Sequence, residues 1–196
     1  MTTEQKIAIT AIVSNTFPIS QKSIDAFMNL VKIETVPKES HFIKSNKANT
    51  FEYFLLSGIC RSFVPNQNGT LISIAFFQEK SVITPHIIRT EDGISSLDFE
   101  TLTACEIAIL NAKDFLDLMI RNIEIRTFAN TVLQQELKQK VSKEISMASL
   151  NGKNRLLELR QIYPNIENLI PHEMIASYLG ITTISLSRLR KQISTK

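Results

Sequence analysis

Between Ile123 and Ser149 the chain runs for about 27 residues without a glycine or a proline. That stretch restricts the folds open to it more than any other feature. It is rich in Gln, Lys, Glu and Leu, and it sets Leu133, Leu137, Val141, Ile145 and Ala148 along one face at helical spacing. At 1.5 Å per residue such a helix is about 40 Å long, more than one small domain can cover. An apolar stripe on so long a helix invites a second copy, so residues 120–150 are expected to be a dimerisation helix with those five residues as its contact. The competing reading folds the stripe back onto its own domain.

The rest of the 196 residues divides around this helix. Thr2-Thr3-Glu4 can cap one short helix, and Ser20 can cap a second through Gln21 to Val31, with Ile24, Phe27, Leu30 and Val31 at helical spacing. From Ile33 to Leu110 the texture changes to short apolar or alternating runs: Glu52–Leu56, Ile59–Val64, Leu71–Phe77, Phe99–Thr103 and Glu106–Leu110. Asn66-Gln67-Asn68-Gly69 between two of them is a hairpin signal, because Asn and Gly tolerate positive φ. Strands at this spacing predict an antiparallel roll. Asn111 is placed to cap a helix from Ala112 to Met119, which closes a first domain at residue 119.

Asn151-Gly152 breaks the long helix, and a further helix with Leu156, Leu157, Leu159 and Ile162 stops before Tyr163-Pro164-Asn165. The third part is therefore residues 151–196, and the fold class is α+β. Charge follows the same division. The whole chain carries +3, but residues 151–196 alone hold seven Lys/Arg against three acids, leaving the body close to neutral. A basic tail on a neutral body is the asymmetry of a protein whose C-terminal end meets a polyanion.

The last segment says which polyanion. In Pro171-His172-Glu173-Met174-Ile175-Ala176-Ser177-Tyr178-Leu179-Gly180-Ile181-Thr182, Pro171 suits the first turn of a helix, Gly180 can end it in the left-handed conformation, and Thr182 can cap the next. Small Ala176 lies where two helices approach, with Ile175, Leu179, Ile181, Leu186 and Leu189 filling the wedge between them. At 100° per residue Leu186, Leu189 and Ile193 point inward, while Ile184, Ser187, Arg188 and Lys191 project outward with Thr183 beside them. That outer face has two cations and no acid. Arg can donate two hydrogen bonds to guanine, Ile can touch a thymine methyl, Ser185, Ser187 and the threonines can reach phosphates or base edges, and the capped helix start at Thr182-Thr183 offers free N–H groups. An amphipathic hairpin with a solvated basic face is the blander reading of the same residues.

Ala176-Ser177-Tyr178-Leu179-Gly180-Ile181-Thr182 with Leu186-Ser187-Arg188-Leu189-Arg190-Lys191 resembles the helix-turn-helix of the Crp/Fnr family of bacterial transcription regulators. Phe54-Leu55-Leu56-Ser57-Gly58-Ile59-Cys60-Arg61 is similar to the family's roll motif, and Thr103-Ala104-Cys105-Glu106-Ile107-Ala108 to its closing strands. The resemblance implies a cyclic-nucleotide-binding-like β-roll, a dimer helix and a winged-helix-like C-terminal domain. It also implies a homodimer on a near-palindromic site in double-stranded DNA, with RNA polymerase as a further partner.

Members of the family that bind cyclic AMP carry a Gly-Glu pair and, about ten residues on, an Arg-Ser pair. Aligned on Thr103–Glu106, this chain has Thr84-Pro85 and Ser95-Ser96 there, so the pocket is expected to be degenerate and its effector, if one exists, unknown. Arg89 and Glu91 could substitute only if the register slips. An iron–sulfur cluster needs four thiolates and the chain has two cysteines, Cys60 and Cys105, read as buried free thiols; His41, His86 and His172 have no metal-site spacing. His172 is read as solvent-facing. No cofactor is expected, and no glycine-rich phosphate loop, nucleophile elbow or paired carboxylates point to an enzyme. With no secretory signal and no membrane-length apolar run, a cytoplasmic protein is expected. Two alternatives remain at this level: a ligand-sensing or protein-interaction module whose helix-turn-helix is structural, and a true cyclic-nucleotide-responsive regulator.

Overall fold

The computed structural model describes residues 1–83 and 92–194. Thr2 caps α1 (Thr3–Thr16) through a capping box with Gln5, and Ser20 caps α2 (Gln21–Met28). α2 stops three residues short of the predicted Val31. Leu30 and Val31 still pack on the core, from backbone that turns toward the first strand.

Among the described residues eight strands follow: β1 (Lys32–Val36), β2 (His41–Ile43), β3 (Phe51–Ser57), β4 (Ile59–Pro65), β5 (Leu71–Gln78), β6 (Ser81–Ile83), β7 (Asp98–Thr101) and β8 (Cys105–Asn111). They form two four-stranded sheets, ordered β1-β8-β3-β6 and β2-β7-β4-β5. β8 runs antiparallel to both β1 and β3, and β2 runs antiparallel to β7. Then come α3 (Ala112–Arg121), capped by Asn111, the long α4 (Ile123–Ser149), α5 (Gly152–Ile162), α6 (Ile166–Leu169), α7 (His172–Leu179) and α8 (Thr183–Ser194). The mixed architecture of helix and antiparallel roll matches the α+β expectation.

The chain separates into two compact units, residues 1–61 with 76–136 and residues 62–75 with 137–196. In the first, β3 and β8 are buried on both faces, and their two-residue period sends alternate side chains into two cores. Phe54, Leu56, Ala108 and Leu110 join α1, α2, α3 and α4 around Phe27, whose ring meets those of Phe54, Phe115 and Phe128 edge-on at 5.2, 5.9 and 6.3 Å. Tyr53, Leu55, Cys105, Ile107 and Ile109 face the other way, against Ile43, Cys60, Ile83 and Phe99. Cys60 and Cys105 are both buried free thiols, and burial pushes both pKa values up.

Gly58 ties together the Phe54–Arg61 segment, which resembles the roll motif, and the Thr103–Ala108 segment, which resembles the closing strands. Its φ is +93°, and a Cβ there would lie 2.5 Å from the Ala104 carbonyl oxygen and 2.6 Å from Cys105 Sγ. Beside it the Ile59 N–H donates to Thr103 Oγ1 at 2.8 Å, and the Leu102 N–H to the Ile59 carbonyl at 2.7 Å.

In the second unit the predicted hairpin turn forms at Asn66–Thr70. The Asn66 N–H donates to the Thr70 carbonyl at 2.8 Å, Asn66 Oδ1 accepts from the Asn68 and Thr70 amides, and Gly69 takes φ +78°. Asn151 caps α5, so Gly152 starts the next helix as well as following the long one. A Cβ on Gly152 would stand 3.3 Å from both Ile181 and Leu189, which is the close approach that glycine permits between α5 and α8. Among the described residues no helix is long and apolar enough to cross a membrane.

Candidate nucleic-acid interface

Four helices build the site: α5, α6, α7 and α8. Pro171, with φ −58°, precedes α7 by one residue rather than lying inside its first turn. Gly180 ends the helix in the left-handed conformation (φ +64°, ψ +36°), and the Ile181 N–H returns to the Ala176 carbonyl at 3.0 Å. Thr182 then caps α8, its Oγ1 accepting from the Ser185 N–H at 3.1 Å. Ile175, Ala176, Leu179 and Leu186 are buried in the wedge between α7 and α8.

This packing fixes which residues of α8 face out. Thr182, Thr183, Ser187, Arg188 and Lys191 are exposed, and Ile184, a large aliphatic, is 65% exposed. Ser185 is half-buried, its Oγ 3.0 Å from Thr182 Oγ1, so it belongs to the cap more than to the outer face. The amides of Thr183 and Ile184 fall in the first turn, where a helix has no internal acceptor. The surface so presented combines a helix N-terminus, short hydroxyls, one exposed aliphatic and two cations, and it can take a polyanion alongside an apolar edge.

Structure comparison finds the same fold in known proteins over most of the chain. The structure of FixK2 from Bradyrhizobium japonicum superposes with a TM-score of 0.72 at 17% identity, covering 84% of this chain and 85% of that one. CLP from Xanthomonas campestris, described as a c-di-GMP-responsive global regulator, gives 0.70 at 12% identity over 90% and 92%. A chain from Eubacterium rectale assigned to the Crp/Fnr family of transcriptional regulators gives 0.67 at 16% over 92% and 88%. The chain has the Crp/Fnr fold. No family model and no curated protein sequence matches it.

Within the Crp/Fnr fold the remaining sequence candidates fall as follows. Leu133, Leu137, Val141, Ile145 and Ala148 all lie exposed along α4, Leu137 to 65%. Of the four residues standing in the cyclic-nucleotide cassette, Thr84 and Pro85 lie outside the described residues, as do Arg89, Glu91 and His86. Ser95 is buried with its hydroxyl donating to the Leu97 carbonyl at 2.7 Å, and Ser96 is exposed. Among the described residues no cluster of three His, Cys, Asp or Glu could hold a metal ion.

Two groups of residues escaped the sequence reading. The shoulder of the 62–75 hairpin sits on α7: the Ser73 N–H donates to Ser177 Oγ at 3.1 Å, and Lys143 Nζ donates to the Ile74 carbonyl at 2.5 Å while standing 3.7 Å above the Tyr178 ring centroid. Burial, with a smaller contribution from Lys140, lowers the Lys143 pKa to about 8. The second group surrounds Glu167. Its carboxylate accepts from Arg160 Nε and Nη2 at 2.5 and 3.2 Å and from Arg190 Nε at 2.9 Å, while His172, exposed to solvent, also bonds both Arg190 and the Glu167 carbonyl. The first group joins residues 69 and 104 positions apart, which leaves no periodic trace in a sequence, and the second draws one residue from each of four helices, so no single helical period carries it.

Proposed function

We propose that the chain is a sequence-specific, DNA-binding transcription regulator of the Crp/Fnr type, acting as a homodimer joined along α4 and reading duplex DNA with α8. The observation that carries this reading is the acid-free outer face of α8 beyond a left-handed turn at Gly180, with Arg188 exposed and, among the described residues, without an ion-pair or hydrogen-bond partner. Arg188 reads a guanine, Lys191 and the α8 N-terminus hold phosphates, Ile184 touches a thymine methyl, and Thr182, Thr183, Ser185 and Ser187 line the groove. The functional parts are residues 1–119 as an effector-type roll with a degenerate nucleotide pocket, 120–150 as the dimer helix and 151–196 as the DNA-reading head. RNA polymerase is the natural partner of such a head at a promoter. The fold shared with regulators supports this reading, as does the exposed stripe on α4.

Selection of bound sites from random duplex DNA at fixed salt tests it. Enrichment of a near-palindrome with half-sites about one helical turn apart is expected, and recovery of no palindrome overturns the reading. On the selected site Arg188→Ala should cost about 1–3 kcal/mol and relax preference at one base pair per half-site. A loss equal over all sequences would make Arg188 a phosphate contact instead.

A further inference from the structure

Four helices of the second unit each send one residue to a single point. Arg160 comes from α5, Glu167 from α6, His172 from α7 and Arg190 from α8. The Glu167 side chain is only 11% exposed and takes three charge-assisted hydrogen bonds from two guanidiniums, the fork of Arg160 and the Nε of Arg190. Arg190 turns a second edge, Nη1, to His172 Nδ1 at 3.2 Å. A guanidinium only donates, so Nδ1 is the acceptor and the imidazole proton stands on Nε2, where it donates to the Glu167 carbonyl at 3.1 Å. The Glu167–Arg190–His172 ring closes on itself, and Arg160 anchors it to α5.

Its place on α8 gives the ring a consequence. Arg190 lies one turn beyond the buried wedge residue Leu186, on the same side of the helix. Arg188, two residues earlier, is turned by about 200° from Arg190 on a 100° wheel, so a helix that points Arg190 inward points Arg188 outward. A guanidinium held by a carboxylate at one edge and an imidazole at the next is held in rotation as well as in position.

We propose that Glu167, acting through Arg190 and His172, is a positioning residue that sets the roll of α8 and thereby aims Arg188 at the base edges. This rests on the DNA-reading assignment above and adds to it a residue that touches no DNA. It also divides the cations of the head into two classes, since Arg160 and Arg190 are occupied by Glu167 while Arg188 is free to meet the polyanion.

The full-length protein is the material for the test. Two quantities are read for the unsubstituted chain, Glu167→Gln and Arg190→Leu: the ratio of affinity for the selected operator to affinity for random duplex, across a salt series, and the Nε–H resonances of Arg160 and Arg190 in the 15N-labelled protein without DNA. In Glu167→Gln the two resonances should lose their downfield, exchange-protected signature. The affinity ratio should fall by about tenfold, while random-duplex binding holds or strengthens with a steeper salt dependence because two guanidiniums are released. Arg190→Leu should lose the same ratio without that gain. A merely structural role would lower the melting temperature and leave the ratio of the folded protein unchanged, and that result overturns the proposal. So does a ratio lost in Arg190→Leu but kept in Glu167→Gln, which would make Arg190 itself a DNA contact. If the unsubstituted protein shows no preference for any duplex, the DNA reading falls and this inference with it, whereas a preference kept by Glu167→Gln after its resonances have changed removes this inference alone.

Discussion

Gly58 and Gly69 both take positive φ, the first where the chain crosses from β3 in one sheet to β4 in the other and the second in the β4–β5 hairpin turn, and they answer to different forces. At Gly69 nothing lies within 4 Å of where a Cβ would stand, so only the backbone conformation opposes a side chain. Gly69→Ala should cost about 1 kcal/mol. At Gly58 the same strain is joined by a Cβ placed 2.5 Å from a backbone carbonyl that cannot swing aside, and Gly58→Ala should cost about 3 kcal/mol in urea unfolding. Equal costs at the two positions would show that the β3–β4 turn relaxes freely and does not lock β8. The same residue-level logic separates Arg188 from Arg190. Composition counts both as +1, but one is bound within the protein and one faces out. A charge sum along the sequence therefore overstates the cations available to phosphate.

At the scale of elements, what the sequence made legible was set by local chemistry. The caps at Thr2, Ser20, Asn111, Asn151 and Thr182, the αL end at Gly180 and the turn at Asn66–Gly69 depend on residues within four positions of each other, and each forms. The strands β1, β2 and β6 were not anticipated. β2 and β6 are three residues long, too short to show a period, and β1 became visible only through its pairing with β8. Docking of the hairpin shoulder on α7 was equally hidden, and it places Lys143 where burial matters. Burial holds the Lys143 pKa at about 8, below the ordinary 10.5, so between those values the unfolded chain binds a proton that the folded chain has released. Folding stability gained from Lys143 must then rise with pH across that window. Cys60, Cys105 and Tyr178, all raised chiefly by burial, pull the opposite way, so the comparison is between two proteins sharing them. Urea unfolding at a few values between about pH 7 and 9 should show the unsubstituted chain gaining stability relative to Lys143→Met as pH rises. Parallel pH profiles would place Lys143 in solvent.

At the scale of the whole molecule the deciding question is what covers α4. Leu133, Leu137, Val141 and Ile145 stay exposed along four turns of one helix, more apolar surface than scattered single exposures explain. In the proposed homodimer a second copy laid along this stripe would bury it and supply a second α8 face, which would convert the second half-site encounter into an intramolecular event. Each head alone offers few free cations, because Arg160 and Arg190 are tied to Glu167 and Arg155 Nη1 donates to the Leu150 carbonyl at 3.0 Å. On the proposed DNA-binding reading, affinity at physiological salt would then depend on pairing two such heads rather than on the charge of one. Leu137→Glu puts a carboxylate in the middle of the stripe, at a position 65% exposed in the single chain, so the fold of each protomer should survive. Sedimentation should show a monomer, circular dichroism an unchanged helix content, and the slope of log K against log salt on the selected operator should fall to about half. A variant that remains dimeric would move the contact off α4, and one that becomes monomeric with its full salt slope would mean that a single head carries all the phosphate contacts.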